Sequence, residues 1–162
     1  MKCYVCGLNA KEEYKHYYSC PKHGMLYLLS RNGPCADALI TKENNILLIL
    51  RAHDPYAGYW ALPGGFQELG EHPAKTAIRE AREETGLIIK LESLLGIYVR
   101  EINPGEYRQT VVYVAKPLRG KPKAGDDAND CQWFPIDQLP INTSPAHLKR
   151  ITDYRGKRLS LF

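Results

Sequence analysis

Apolar positions change their period several times along the chain. Two short runs, Cys35 to Thr41 and Asn45 to Ala52, are dominated by apolar residues and read as strands, with Asn44-Asn45 suited to a hairpin turn between them. The second is nearly all aliphatic from Ile46 to Leu50, which fits a strand buried on both faces. From Pro73 to Thr85 the period becomes helical. Proline suits the first turn, where its missing N–H is not needed, and Gly86 suits the left-handed residue that ends a helix. Ala74, Ala77, Ile78, Ala81 and Thr85 keep the i, i+3, i+4, i+7 spacing and form the expected core stripe. Glu80, Glu83 and Glu84 share a second face; Lys75, Arg79 and Arg82 share a third.

Beyond this helix, Ile88 to Glu101 reads as a long strand with Gly96 as a bulge. Asn103-Pro104-Gly105 is a turn, and Glu106 to Ala115 is the returning strand of a hairpin. Arg119 to Ala128 is polar and rich in Gly, Pro, Lys and Asp, hence a loop. Cys131 to Phe134 is a short strand. His147 to Tyr154 closes the chain with a helix, Leu148 and Ile151 standing at helical spacing. Ser30 to Pro34 carries turn chemistry and divides a small segment, residues 1–33, from a main domain, residues 34–162.

Composition narrows the class. With 44% hydrophobic and 25% charged residues in 162, the chain suits one soluble domain and a small appendage. The aliphatic run Ile46 to Leu50 is too short to span a bilayer, and the N-terminus lacks the apolar core of a signal peptide. The expectation is a cytoplasmic protein with no membrane partner.

The five cysteines are unevenly spread. Cys3 and Cys6 form C-x2-C, Cys20 and His23 form C-x2-H, and a glycine follows each pair. Thiolates and imidazole are the donors that tetrahedral Zn2+ prefers. A disulfide is the competing reading, opposed by the odd count and the missing export signal; simple buried thiols are another. A segment of about 30 residues cannot bury enough core to fold alone, so a structural Zn2+ would supply the missing stability. Gly7 to Ser19 is expected to form a β-hairpin. Cys35 and Cys131 have no partner in sequence and read as core residues.

Three carboxylates on one helical face repel. On an open surface each like-charge pair costs ~0.2–0.5 kcal/mol. At ~6 Å and an effective dielectric of ~20 the cost is on the order of 3 kcal/mol, so a partly buried site needs a cation. Carboxylates select hard ions, Mg2+ or Mn2+. Charge alone leaves a solvated acidic face open as the alternative.

The wider spacing is more specific. Gly65 is followed by Glu71, Arg79-Glu80, Ala81, Glu83-Glu84, Gly86 and Leu87, with Trp60-Ala61-Leu62-Pro63-Gly64 leading in. This resembles the Nudix box at every specified position. The resemblance extends over about Ala36 to Tyr154, including Trp133-Phe134 and Leu139-Pro140. It implies the Nudix fold, an α/β/α sandwich on a mixed sheet. Residues 1–33 resemble a zinc ribbon, with His23 in place of a cysteine.

The resemblance also implies an activity: hydrolysis of the diphosphate in a nucleoside diphosphate derivative, a small-molecule substrate. Glu80, Glu83 and Glu84 would hold Mg2+ or Mn2+. Glu83 or Glu84 would activate water; Glu101, Glu106, Asp126 and Asp127 are other candidates for the base. Arg79 would pair with Glu71 and orient it. Gly64 and Gly65 would bring backbone close to the metals. Independently of the resemblance, Arg51 at the exit of the second strand is a candidate to meet a substrate phosphate, with an ordinary exposed arginine as the equal alternative. ADP-ribose is the favoured substrate, since Gly125-Asp126-Asp127-Ala128 ahead of Trp133 resembles ADP-ribose hydrolases. Pro104 lies near that group's proline but out of register. The ribbon resembles that of NADH pyrophosphatases, whose S-Q-P-W-P-F-P signature is absent. Nucleoside triphosphates, dinucleotides and RNA caps remain alternatives.

Net charge is +4, and Lys149 to Arg158 is basic. Together with the ribbon tyrosines Tyr14, Tyr17 and Tyr18, this raises a reading of another class: a nucleic-acid-binding or regulatory module with an inactive Nudix core. The intact box opposes it. More simply, the ribbon stabilises the domain or a homodimer.

Overall fold

The computed structural model describes residues 2–157 except 4, 15–16, 28–33, 69, 104–105 and 126. It contains two compact units, Met1–Gly33 and Pro34–Phe162.

In the first unit, β1 (Lys11–Tyr14), β2 (Tyr17–Cys20) and β3 (Gly24–Tyr27) form an antiparallel sheet in that order. The predicted hairpin corresponds to β1 and β2, and β3 extends it. Among the described residues, Cys3 and Cys20 are buried, with Cys6, Ala10 and Tyr18 packed against them. Of the predicted boundary turn, Ser30 to Gly33 lie outside the described residues.

The second unit opens with β4 (Cys35–Lys42) and β5 (Asn45–Arg51), paired antiparallel. Their turn falls on Glu43-Asn44, one residue earlier than predicted, with Glu43 in the left-handed region at φ 55°. Then follow β6 (Trp60–Ala61), β7 (Gly64–Phe66), α1 (Pro73–Thr85), β8 (Ile88–Asn103), β9 (Glu106–Arg119), β10 (Ala128–Pro135) and α2 (Pro145–Arg155). The sheet runs β10-β5-β4-β9-β8, with β6 beside β5 and β7 beside β4. Among the described strands β4 and β9 pair in parallel and the other pairs are antiparallel, so the sheet is mixed. The β8–β9 register shifts between Leu94 and Gly96, at the predicted bulge. Pro104 and Gly105 of the predicted turn lie outside the described residues.

Alternation in the two central strands builds two cores. Ala36, Ala38 and Ile40 of β4 and Leu47 and Ile49 of β5 face α1, where they meet Ala77 and Ala81. Leu39, Ile46 and Leu48 point the other way and pack with Ile151 of α2. The architecture is therefore α/β/α. Small side chains at Ala77 and Ala81 let α1 lie close on the sheet.

The faces of α1 differ from the predicted ones. Thr76, Ala77, Ala81, Glu84 and Thr85 are buried, whereas Ile78 is exposed and Ala74 half-buried. At ~100° per residue, Glu84 lies near the centre of the inward arc, Glu80 inside it towards the Thr76 edge, and Glu83 just outside that edge. On α2, Ile151 enters the core, but Leu148 faces outward.

The loop after β9 closes the end of α1. Lys123 donates its N–H to the Thr85 carbonyl (3.0 Å) and Gly125 donates to that of Glu84 (3.0 Å), satisfying terminal carbonyls of the helix. A side chain at Gly125 would strike the Glu83 carbonyl.

Candidate active site

The site forms where the turn between β6 and α1 meets the helix. His72 accepts the Ala74 N–H at 3.1 Å through Nδ1 and caps α1. Glu71, just before it, is fixed from several sides. It accepts from Thr76 Oγ1 (2.7 Å), from the Glu68 N–H (3.1 Å), and from Arg79 through both oxygens (3.0 and 2.9 Å). Chiefly because of Arg79, and despite burial, the Glu71 carboxyl falls to about 2.

Arg79 is the hub of the box. Besides Glu71 it donates to Glu80 Oε1 (2.7 Å), Glu83 Oε2 (3.0 Å) and the Phe66 carbonyl (3.0 Å). It thus leaves the Lys75–Arg82 face predicted for it and folds over the acidic one. These charge-assisted bonds raise its already high pKa further, Glu71 most of all.

The three helix carboxylates have graded burial: side-chain exposure is 57% for Glu83 and 15% for Glu80, and residue exposure is 7% for Glu84. Burial pushes Glu84 up to about 8, although the Gly64 N–H donated to its Oε2 at 2.8 Å pulls the other way. Glu80 also rises through burial, opposed by Arg79.

Gly64 and Gly65 thread the narrow space between β4 and α1. A Cβ on Gly64 would lie 2.6 Å from the Ala36 carbonyl and collide with Asp37 Oδ1, while one on Gly65 would lie 2.5 Å from Glu80 Oε1. Any side chain there would separate the turn from the carboxylates.

On the other side of this turn lies a cleft of ≈ 220 Å³ lined by Asp37, Arg51, Arg100, Arg108, His147 and Arg150, among others. Arg51 donates Nε to the Pro55 carbonyl at 3.0 Å and so steadies the loop over the cleft. Asp37 is a buried carboxylate paired with Arg150. Burial pushes its pKa up, and Arg150 opposes that. His147 Nδ1 accepts the Leu62 N–H (3.2 Å) and lies 3.2 Å from Arg150 Nη1. Burial, then the surrounding arginines, hold its pKa well below the ordinary value. The ring is neutral with its proton on Nε2, so the 3.5 Å from Nδ1 to Asp37 Oδ2 is not an ion pair.

Asp37, Arg100, Arg108, His147 and Arg150 escaped the sequence reading. One signal was available, a lone carboxylate in an otherwise apolar strand. The alternative bases gain no place here. Glu101 and Asp127 are exposed and do not line the cleft, Asp127 lying 3.6 Å from His53. Glu106 opens β9 opposite Asn103, and Asp126 lies outside the described residues. The basic stretch is not a free cationic stripe: Arg150 pairs with Asp37, and Lys149 with Asp153 at 2.7 Å. Tyr18 packs on the cysteine cluster.

In the first unit the ligand atoms of Cys3, Cys6, Cys20 and His23 lie within 4.8 Å of one another. Cys3 Sγ is 3.6 Å from His23 Nδ1, Cys6 Sγ is 3.7 Å from Cys20 Sγ, and Cys20 Sγ is 3.7 Å from His23 Nδ1. All five cysteines are free thiols.

A NUDIX domain model matches residues 31–154. The ADP-ribose pyrophosphatase of Methanocaldococcus jannaschii is 43% identical over 119 residues, which is 73% of this chain and 70% of that protein. The putative ADP-ribose pyrophosphatase YjhB of Bacillus subtilis is 30% identical over 123 residues, 71% of this chain and 58% of that protein. A NUDIX hydrolase structure from Nitrosomonas europaea has the same fold, with a TM-score of 0.80 at 23% identity over 100% of this chain and 97% of that one. The box geometry and these likenesses agree, and the chain belongs to the NUDIX family of pyrophosphohydrolases.

Proposed function

We propose that the protein hydrolyses ADP-ribose to AMP and ribose 5-phosphate, using Mg2+ or Mn2+ held by Glu80, Glu83 and Glu84. One observation carries this reading. Two neighbouring carboxylates, half-buried Glu80 and buried Glu84, have raised pKa values, and an arginine-lined cleft adjoins them. Such a set fits a hard cation, and an anionic substrate fits the cleft. The two relatives named for ADP-ribose support the choice of substrate.

When bound, the metal polarises a phosphoryl oxygen and lowers the pKa of its water. The chain's own residues do the rest. Burial favours the protonated form of Glu84, so Glu84 gives up that proton before it can hold the cation, and Glu83, the open carboxylate, takes up the proton of the attacking water. Arg79 keeps Glu71, Glu80 and Glu83 in register. Gly64 presents its N–H to Glu84, and Arg51 meets the substrate phosphates at the mouth of the cleft.

Cys3, Cys6, Cys20 and His23 hold structural Zn2+ in this reading. With bonds of ~2.3 Å to sulfur, tetrahedral zinc spaces its donors ~3.8 Å apart, near the separations found. Free thiols support a cytoplasmic enzyme.

The test is hydrolysis of ADP-ribose, NADH, diadenosine tetraphosphate, nucleoside triphosphates and capped RNA with Mg2+, for wild type, E83Q and E84Q. AMP and ribose 5-phosphate from ADP-ribose, lost in both variants, is the expected result. Preference for another member of the panel overturns the substrate. No turnover, with salt-sensitive RNA binding in the absence of Mg2+, overturns the enzyme.

A further inference from the structure

The first turn of α2 opens onto the cleft, which Ser144, Ala146 and His147 all line. Ser144 is the N-cap and Pro145 the first helical residue. Ser144 gives its N–H to the Trp60 carbonyl (2.9 Å), and His147 and Leu148 give theirs to the Ser144 carbonyl (3.0 and 2.9 Å). Pro145 has no N–H to give. Among the described residues the Ala146 N–H therefore has no acceptor, and it stands at the helix end where the macrodipole favours negative charge.

The side chains of this turn point to a ligand independently. Serine at an N-cap ordinarily accepts from the first turn. Ser144 is 3% exposed and makes no such bond. Among the described residues its hydroxyl has no hydrogen-bond partner, although a buried hydroxyl without one is costly. His147, one helical turn on, shares the same face. Its Nδ1 is turned inward to the Leu62 N–H and to Arg150 Nη1. That leaves the opposite edge of the ring, with its Nε2–H, to the cleft the residue lines. Asp37 lies close by, but Arg150 meets its charge. An O–H and two N–H groups thus stand on one turn beside the cleft, and the chain supplies no acceptor for them.

Uncharged donors at a helix N-terminus suit an oxyanion with several oxygens, as a phosphoryl group is. We propose that Ser144, Ala146 and His147 seat one phosphoryl group of the substrate's diphosphate, the one farther from the glutamate face. The Gly64-Gly65 turn separates this seat from the carboxylates, leaving the other phosphoryl group on their side. Ser144 and His147 are then positioning residues: they hold the substrate so that the phosphorus nearer the glutamates meets the attacking water. Cleavage leaves a phosphomonoester on the helix. This rests on the cleft being the substrate site.

The first test needs no turnover: inorganic phosphate is titrated calorimetrically into the full chain in magnesium-free buffer. Saturable binding is expected, weakened about tenfold by S144A. The same variant should keep the urea midpoint of wild type, because the hydroxyl caps nothing. H147F should weaken phosphate comparably, and H147Q, which keeps an N–H there, should restore much of it. H147F also strips the Leu62 N–H of its acceptor, so S144A decides where that variant does not fold. With 15N-labelled histidine, the His147 Nε2 signal should move as phosphate saturates wild type. In turnover, phosphate should compete with ADP-ribose, and S144A should raise KM more than it lowers kcat. No saturable phosphate binding, binding indifferent to S144A, or an unmoved His147 signal overturns the seat. Inhibition by phosphate that is not competitive overturns its place in the substrate cleft. Ser144-dependent phosphate binding without turnover of ADP-ribose overturns the proposed reaction and keeps the seat.

Discussion

Gly64 donates its backbone N–H to Glu84 across 2.8 Å, joining the entry turn to the most buried carboxylate of the box. Burial pushes Glu84 up to about 8, so below that pH the metal-free protein holds a proton there. A cation must displace that proton, because only the carboxylate is a ligand. Mg2+ affinity should therefore rise with pH up to about 8, and binding at pH 7 should release a proton. Calorimetry in buffers of differing ionisation enthalpy counts it. E84Q should abolish the release and weaken Mg2+ at least about tenfold. A proton count of zero for wild type would sink the prediction.

Glu71 behaves in the opposite sense. Arg79 brackets its carboxylate and lowers it from 4.5 to about 2. The unfolded chain takes up a proton at Glu71 before the folded one does. The stabilisation is therefore complete above about 4.5 and is lost as pH falls through about 2. E71Q should cost ~1–3 kcal/mol at pH 7, with the gap closing on acidification. Urea unfolding at pH 7, 4 and 3 gives the comparison, and a constant gap would refute the assignment.

The bounds of α1 were legible because proline and glycine act on the backbone locally. Its buried face was not. Ile78 looked like core by hydrophobicity alone, but the sheet beneath the helix decides burial, and it selects Thr76, Ala77 and Ala81. Glu84 points inward because Gly64 offers it a donor, a contact between residues twenty positions apart. I78K should then change stability by no more than ~0.5 kcal/mol. A81L, by overpacking against β4 and β5, should cost ~1–3 kcal/mol. Thermal melts of the two variants settle which face is inside; the reverse order would contradict the packing.

Asp37 stands out in its strand, but its partner could not be read from sequence. Arg150 is 113 positions away and arrives only when α2 packs on the sheet. Such a pair is costly to break on one side. D37A leaves a buried guanidinium without its carboxylate and should lose ~3–5 kcal/mol. Adding R150M should recover much of that loss, since both charges are then gone. A double-mutant cycle from urea unfolding should give a coupling of at least ~1 kcal/mol; additive losses would show that the pair is not coupled.

The cysteine cluster was legible from spacing because both ligand pairs sit on local turns. The closure of Cys3 and Cys6 on Cys20 and His23 depends on the three-stranded sheet. Among the described residues, the buried core of this unit is little more than the ligands themselves. That leaves the metal to hold the segment together, in keeping with the few residues it has to bury. Purified protein should carry one zinc per chain. C20S should lose the metal together with amide-exchange protection across β1 to β3. Acidification should release zinc, because protons compete for the thiolates. C35S removes a buried thiol that is no part of the cluster and should leave the zinc content unchanged. Zinc retained by C20S, or lost equally in C35S, would mean that the four side chains are not the ligands.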